Sequence, residues 1–478
     1  MGKSMKRLMT LLSVGLLSFS AMSSIALAAS KDPEQPNILF LLTDDQRWDD
    51  MAAMGNPIIQ TPTMDRLAEL GTLFTQATVS SPICMASRAT CFSGQPERFH
   101  RVNFGGSKFT NVTWSQTYPQ VFRDSGYFTG FIGKYGVFAQ FDAAEKFDVW
   151  NGFHQQGSFT TKDGRHLTEV IAEQAIDFME QSEAQPFCLS ISFKAPHFEK
   201  NSLPPIEACK DLYKDIGAIP LRGSEFIKKE YVGNDSFVRD RYNMFFSDAE
   251  KRSETIKMRY RAITGVDMTI DKIMQKLDDL EIADNTVIVF MGDNGYSYGE
   301  HGLAEKYWMH EESVRVPMIV YDPRIPAEQR IQQSDALVSN IDVAPTLLAA
   351  AGLEVPETMT GMDIAPLLTS EDVAWRETVF SENLFTLRGG PLCDSARTPK
   401  WKYVEYFDNP EITPELYDLE KDPLEMNNIF SNPEYQSVVE KMRDALIAHR
   451  KYYSADESGW KKGNAVSAQK KKAGKKEK

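Results

Sequence analysis

Cysteine is scarce in this sequence, five residues in 478, and histidine nearly as scarce at seven. An odd number of thiols cannot pair completely, so at least one stays free whatever the redox compartment. Long apolar runs are missing too. Beyond residue 30 no segment is long and apolar enough to cross a bilayer, which leaves no transmembrane anchor. Positive charge is in deficit: Lys and Arg number 53 against 67 Asp and Glu, a net charge of −14. An acidic body argues against nucleic acid as a partner. It also repels an anionic polymer at long range, so an acidic substrate needs positive charges gathered in its pocket. No internal repeat is visible.

The two ends differ in kind from the body between them. "MGKSMKR" is a basic opening, "LMTLLSVGLLSFSAM" an apolar run, and Ala26-Leu27-Ala28 a small-x-small cleavage site. Together they predict a signal peptide over 1–28 and export to the periplasm or beyond. "KKGNAVSAQKKKAGKKEK" carries eight lysines and one glutamate without apolar periodicity, so residues 456–478 are expected to be disordered. Without both ends the body carries about −24. Within it, Cys188 in "PFCLSISF" and Cys91, two helical turns after Cys84, read as core thiols. Cys209 and Cys393 could pair with each other. Cys84 stands apart, because Arg88 follows it by four residues at a helix start, where a fixed positive charge favours an anion.

Apolar runs that end in polar residues organise the body. "PNILFLLTDD" (36–45) and "NTVIVFMGDN" (285–294) read as buried strands, as do "PFCLSISFKAPH" and "VRVPMIVYDP". "ITGVDMTIDKIMQKLDDLEI" has the i, i+3/i+4 spacing of an amphipathic helix. Strands alternating with helices predict an α/β sandwich with a large, mostly parallel sheet flanked by helices, its site at the strands' carboxyl ends. This domain is expected over 36–370. Short strands in "ETVFSEN", "PKWKYVEYF" and "ELYDLEKDP", closed by the helix "YQSVVEKMRDALIAHRKYY", predict a smaller C-terminal α+β subdomain with an antiparallel sheet over 371–455. Residues 201–250 read as an irregular polar insertion near the site mouth.

The strand ends carry the chemistry. Asp44 and Asp45 close one strand, and Asp293 and Asn294 another; three carboxylates and an amide are hard oxygen donors that suit calcium or magnesium better than zinc. One such pair would be ordinary capping, whereas two pairs on two buried strands point to a metal. Lys134 ("FIGKYG"), Lys194 and His197 ("FKAPH") and Lys306 ("GLAEKYW") sit on or near other strand-like runs. With Cys84 and Arg88 they make a pocket for a tetrahedral anion.

"CMASR" (84–88) resembles the signature of the type I, formylglycine-dependent sulfatases, in the alkaline-phosphatase-like superfamily. The pattern is Cys or Ser, any residue, Pro or Ala, any residue, Arg. "LLTDDQRWDD", "GYFTGFIGK", "SFKAPH", "GDNGYSYGEHGLAEK", "SVRVPMIVYDP" and "ELYDLEKDPLEMNNI" are similar to further motifs of that family, in its order, from about residue 36 to 430. The resemblance implies a sulfuric ester hydrolase acting on a sulfated carbohydrate, poly- or oligosaccharide. It implies that a separate maturation enzyme oxidises Cys84 to formylglycine (3-oxoalanine), whose hydrate is the nucleophile. It further implies that Asp44, Asp45, Asp293, Asn294 and the residue-84 oxygen bind one Ca2+, that Arg88 and Lys134 hold the nucleophile, and that His197 and Lys306 bind sulfate and protonate the leaving oxygen. Lys194, His301, His100, Arg101 and His154 are candidates for substrate contact.

The sequence departs from the family at one point: where Gly-Lys-Trp-His is usual, it reads Gly133-Lys134-Tyr135-Gly136. The missing histidine is the one expected to help release sulfate, so His154 or His100 would have to substitute, or turnover would suffer. Two other readings stand beside the sulfatase. One is a phosphate or phosphonate ester hydrolase of the same superfamily, disfavoured by Asn294 where those enzymes tend to carry histidine. The other is a catalytically impaired binder of sulfated glycans.

Overall fold

The computed structural model describes residues 35–453, apart from 184, 200, 221, 223–235, 386–390 and 408–411. The expected signal peptide and lysine-rich tail lie outside the described residues. In chain order the strands are β1 (Asn37–Thr43), β2 (Thr72–Phe74), β3 (Phe128–Lys134), β4 (Val149–Phe153), β5 (Phe187–Ser192) and β6 (Thr286–Gly292), then the short ribbon β7 (Ser297–Tyr298) and β8 (Ala304–Glu305). β9 (Met318–Tyr321) and β10 (Gln333–Ser334) follow, and then β11 (Val379–Asn383), β12 (Cys393–Arg397), β13 (Trp401–Tyr406) and β14 (Glu415–Asp418).

Eight strands form the large sheet in the order β10-β2-β9-β6-β1-β5-β3-β4. The pairs β6-β1, β1-β5, β5-β3 and β3-β4 are parallel, while β9 runs antiparallel to both β6 and β2. β1 shows why its sequence is an unbroken apolar run. Leu39 and Leu41 pack into one core with the Pro62–Leu70, Leu167–Gln181 and Ala249–Asp279 helices, while Ile38, Phe40 and Leu42 pack into a second core on the opposite face. A strand covered on both faces has no polar side to alternate with. The Cys84–Ser93 and Val343–Ala350 helices cover the second face.

The C-terminal strands form a separate antiparallel sheet, β11-β12-β13-β14. The Gln436–Tyr452 helix lies against it through Val439, Met442 and Leu446, which meet Ala396, Tyr403 and Leu416. β12 was not foreseen: "CDSAR" is too polar to read as a strand, yet all five residues are buried because Asp394 and Arg397 are ion-paired inside the subdomain junction. The segment 201–250 also holds more order than expected, with a helix over Ser236–Phe245 and the first turn of the long Ala249–Asp279 helix. All five cysteines are buried, and Cys209 and Cys393 are not bridged to each other; the Cys209 thiol lies 3.7 Å from the Met268 sulfur, while Cys393 packs with Trp308, Met309 and Val404. Among the described residues no helix is long and apolar enough to cross a membrane.

Candidate active site

Four neighbouring parallel strands end at one place, and sheet order alone brings most of the foreseen residues together. β6, β1, β5 and β3 are adjacent, with Thr43 paired to Gly292, Leu42 to Ser192 and Gly133 to Ser192. The next residues on each strand are therefore Asp293-Asn294, Asp44-Asp45, the Lys194–His197 segment, and Lys134 itself. Cys84 is the first residue of the Cys84–Ser93 helix, and Arg88, one turn on, reaches into the same point.

Arg88 ties the constellation together. Its Nε donates to Asp293 Oδ2 at 2.9 Å, Nη2 is ion-paired at 2.8 Å from that oxygen and 3.2 Å from Asp44 Oδ2, and Nη1 donates to the Lys134 carbonyl at 2.6 Å and to Ser192 Oγ. Lys134 Nζ donates to Asp44 Oδ2 and, at 2.8 Å, to Gln156 Oε1. Lys306 Nζ donates to Asp45 Oδ1, which also accepts from Asn294 Nδ2 at 2.7 Å. His197 Nε2 is 3.9 Å from Asp45 Oδ2, and its ring is fixed by the Phe198 carbonyl, 2.7 Å from Nδ1. Lys194 Nζ is buried, has no hydrogen-bond partner among the described residues and sits 4.8 Å over the Phe159 ring.

Removing so many charges from water shifts their protonation. Burial raises Asp44, but Lys134, His197, Arg88 and Lys306 outweigh it and hold the carboxyl well below the usual range. Burial and the charge of Asp44 push Asp293 up to about 7. Burial and the neighbouring Lys134 pull His197 down to about 3, which leaves a neutral imidazole. Burial lowers Lys194 to about 8, and burial raises the Cys84 thiol, which does not favour a thiolate there.

The donor set fits a hard divalent cation. Asp44 Oδ1 and Asn294 Oδ1 are fully buried oxygens without a hydrogen-bond partner among the described residues, and an orphaned buried acceptor costs about 1–3 kcal/mol unless something binds it. Ligand atoms of Asp44, Asp45 and His197 lie within 4.8 Å of one another. Oxygen donors with carboxylate charge are what Ca2+ takes.

On its other side Cys84 belongs to an apolar cluster with Ile83, Ala86, Tyr307 and Phe385, with Phe104 packed against it. Phe104 lies 5.9 Å from Phe385 and 6.2 Å from Phe138, whose ring is 40% exposed. Residue 84 thus stands between a wall of charge and a wall of aromatic rings.

The structure holds His100 and His301 away from the acidic cluster and leaves Arg101 and His154 exposed. Both nitrogens of His100 are engaged away from the acidic cluster, Nε2 with Thr90 Oγ1 at 3.1 Å and Nδ1 accepting from the Val102 N–H at 2.9 Å, and burial lowers the ring to about 3. It ties its own helix end to the Cys84–Ser93 helix. Arg101 closes that short helix with φ +57° and points into solvent. His301 is turned into the subdomain junction, stacked at 4.1 Å on His310 and 3.5 Å from Glu312. His154 is exposed on the rim, 5.6 Å from both the Tyr135 and Trp150 rings.

Gly136 proves to be a packing requirement. Its φ is +70°, and a Cβ there would lie 2.9 Å from Arg88 Cδ. No side chain fits on this backbone without moving the arginine. The side chain that meets Lys134 from the adjoining loop is Gln156, which can orient the ammonium but cannot take a proton. Ser192, Gln156 and Arg259 were all missed from the sequence. Arg259 had a legible signal, a charged residue three after Ile256 and four before Ile263 on the buried stripe of its helix.

Comparison with known proteins gives the same constellation a family. The sulfatase family model matches residues 36–353, and the model of the N-sulphoglucosamine sulphohydrolase C-terminal region matches 299–452. The N-acetylglucosamine-6-O-sulfatase of Bacteroides thetaiotaomicron is 28% identical, over 92% of this chain and 90% of that protein. Human N-acetylglucosamine-6-sulfatase is 27% identical, over 83% and 81%. A solved structure of a protein bound to its substrate D-glucosamine-2-N,6-O-disulfate superposes with a TM-score of 0.76 at 25% identity, covering 88% of this chain and 98% of that one. The fold is shared more widely: a phosphonate monoester hydrolase of Agrobacterium radiobacter gives a TM-score of 0.75 at 20% identity, covering 88% and 96%. The 318 residues matched by the family model span most of the chain and include every strand end of the site, so the chain belongs to the sulfatase family and is a sulfuric ester hydrolase.

Proposed function

We propose that this sulfatase removes a 6-O-sulfate from a glucosamine-type sugar of a sulfated poly- or oligosaccharide, using formylglycine derived from Cys84 and one calcium ion. The observation that carries the reading is the set of unspent groups at the strand ends: Asp44 Oδ1, Asn294 Oδ1 and Lys194 Nζ, all buried and all without a hydrogen-bond partner among the described residues. The named activities of the relatives and the glucosamine disulfate bound in the superposed structure favour the sugar.

Asp44, Asp45, Asp293 and Asn294 would hold the calcium, which supplies charge neutralisation at the sulfuryl oxygens. Residue 84, once converted to the hydrated aldehyde, would supply the attacking oxygen. Arg88, fixed by Asp293 and the Lys134 carbonyl, holds position 84 at the helix start. Lys134, on Asp44, and Lys306, on Asp45, would meet the sulfate, and Lys194 would add a third ammonium. Donors placed before the reaction stabilise developing charge without reorganising. His197, neutral and anchored through Nδ1, binds sulfate and delivers a proton to the leaving oxygen when it is charged by the bound anion. The aromatic wall of Phe385, Phe104 and Phe138 receives the apolar face of the sugar ring. Export by a cleaved signal peptide and a maturation enzyme acting on "CMASR" belong to the same reading.

Mass spectra of the peptide holding residue 84, from protein made with a maturation enzyme, test the nucleophile. Formylglycine is expected, together with sulfate release from glucosamine 6-sulfate that a calcium chelator abolishes. Unmodified cysteine in a host that matures other sulfatases would overturn the mechanism. Equal rates on galactose 6-sulfate would overturn the sugar assignment. Gly136 favours a second reading, in which sulfate release is slow; a pre-steady-state burst of one equivalent of alcohol followed by a slow phase would mark it.

A further inference from the structure

The Ala249–Asp279 helix sends one charged side chain, Arg259, into the floor beneath the strand ends. Its guanidinium is fully buried among rings, 4.4 Å from the centre of Tyr296, 5.0 Å from Tyr298 and 5.6 Å from Phe198. Nη2 donates to the Asp45 carbonyl, Nη1 donates to the Pro196 carbonyl at 3.1 Å, and Nε donates to the Tyr298 hydroxyl at 2.8 Å. The first carbonyl belongs to the acidic turn after β1. The second belongs to the residue immediately before His197, after β5.

From these contacts we infer that Arg259 is a positioning residue that sets the separation of the Asp45 carboxylate from the His197 imidazole, and through Asp45 the affinity of the metal site. The inference rests on the proposed roles of those two residues. Asp45 sits at φ +66°, in the left-handed region where a residue other than glycine stays only if its surroundings hold it. Both peptide groups around it are gripped: its N–H donates to Asp293 Oδ1 at 3.0 Å, and its carbonyl accepts from Arg259. Without the guanidinium the carbonyl loses its partner in a buried site, and the turn can relax toward an ordinary conformation that carries the carboxylate away. The same loss frees the Pro196 carbonyl, and with it the 3.9 Å approach of His197 Nε2 to Asp45 Oδ2. Arginine suits the task because its planar fork presents several donors in fixed directions, whereas an ammonium at the same place reaches one carbonyl at a time. Partners behind metal-binding side chains commonly change metal affinity or activity by about 10- to 100-fold when removed.

Arg259→Met keeps the length and the contact with the rings but removes every donor; Arg259→Lys keeps the charge and one donor. Calcium titrated by calorimetry into the full-length mature protein is expected to bind about 10- to 100-fold more weakly to Arg259→Met, with Arg259→Lys between it and wild type. The turnover number should fall in the same order while KM for glucosamine 6-sulfate moves less than threefold. A residue that only filled space would lower the melting temperature and leave the calcium affinity and turnover of the folded protein at wild-type values; that result in either variant overturns the inference. Should Arg259→Met fail to fold, Arg259→Lys carries both readouts. A wild type that takes up no calcium would count against the metal reading instead, and the positioning of His197 would then be decided by turnover alone.

Discussion

Arg88 and Arg98 are both fully buried guanidinium groups, ten residues apart, and their surroundings differ in one respect that separates chemistry from architecture. Around Arg98, where the catalytic sheet meets the C-terminal subdomain, the acceptors are used up. Glu382 accepts the Arg98 Nε at 2.7 Å and its backbone N–H at 2.6 Å, while both oxygens of Asp394 are held by Arg98 and Arg450. Around Arg88 they are not: among the described residues the acceptors Asp44 Oδ1 and Asn294 Oδ1 have no hydrogen-bond partner, and neither does the Lys194 Nζ donor near them. A folded chain tolerates buried charge when it is paired and hydrogen-bonded. Groups left unpaired in one place are kept for ligands, and stability has to come from elsewhere.

The largest effect expected from this contrast is at position 84. Cys84→Ala should lower sulfate release by roughly four orders of magnitude or more and shift the unfolding free energy by only about 1 kcal/mol. Activity of the matured protein and a denaturant melt measure the two sides, and a variant that retained a tenth of the activity would break the assignment of the nucleophile. Arg98→Met should show the reverse. It strands Glu382 and Asp394 without their guanidinium and should cost about 3–5 kcal/mol, with the turnover of the folded fraction unchanged. A drop in turnover without a drop in denaturation midpoint would put Arg98 in the site instead of the junction.

Glu97 gives the smallest and most diagnostic effect. It accepts from Ser81 Oγ at 2.5 Å and Asn103 Nδ2 at 2.6 Å, and burial together with the nearby Glu382 pushes it up to about 8 from 4.5. A carboxyl whose folded value is raised binds its proton more tightly in the native state. Its contribution is therefore fully present below about pH 4.5 and is lost as the pH rises toward 8. Glu97→Gln should flatten that part of the stability curve, by on the order of 2 kcal/mol between pH 5 and 8. Urea melts at the two pH values check this; parallel curves for variant and wild type would mean that Glu97 is ionised in the fold.

Much of the site could be read from the chain because its groups sit at the ends of buried strands, where an apolar run marks the strand and the first polar residues mark its end. Asp44, Asp45, Asp293, Asn294 and Lys134 are of this kind, and sheet order does the rest. His100 and His301 misled because their type and neighbourhood matched the chemistry while their orientation did not. One is tied to Thr90 of the Cys84–Ser93 helix and to its own helix end, and the other turns into the subdomain junction. Gln156 and Ser192 gave no sign, since an amide in a loop and a hydroxyl on a strand are common everywhere.

What the sequence determined by itself was the alternation of strands and helices, the mostly parallel sheet and the kinds of donor at its carboxyl end, because apolar periodicity and strand termination are local properties of the chain. What only the tertiary structure decided was which donors stay unspent and what holds them. Pairing is set by distance between segments as far apart as residues 45 and 259, or 88 and 136, and no local pattern records that distance. The same is true of Gly136, whose missing side chain became intelligible only when Arg88 was found lying 2.9 Å from where a Cβ would be.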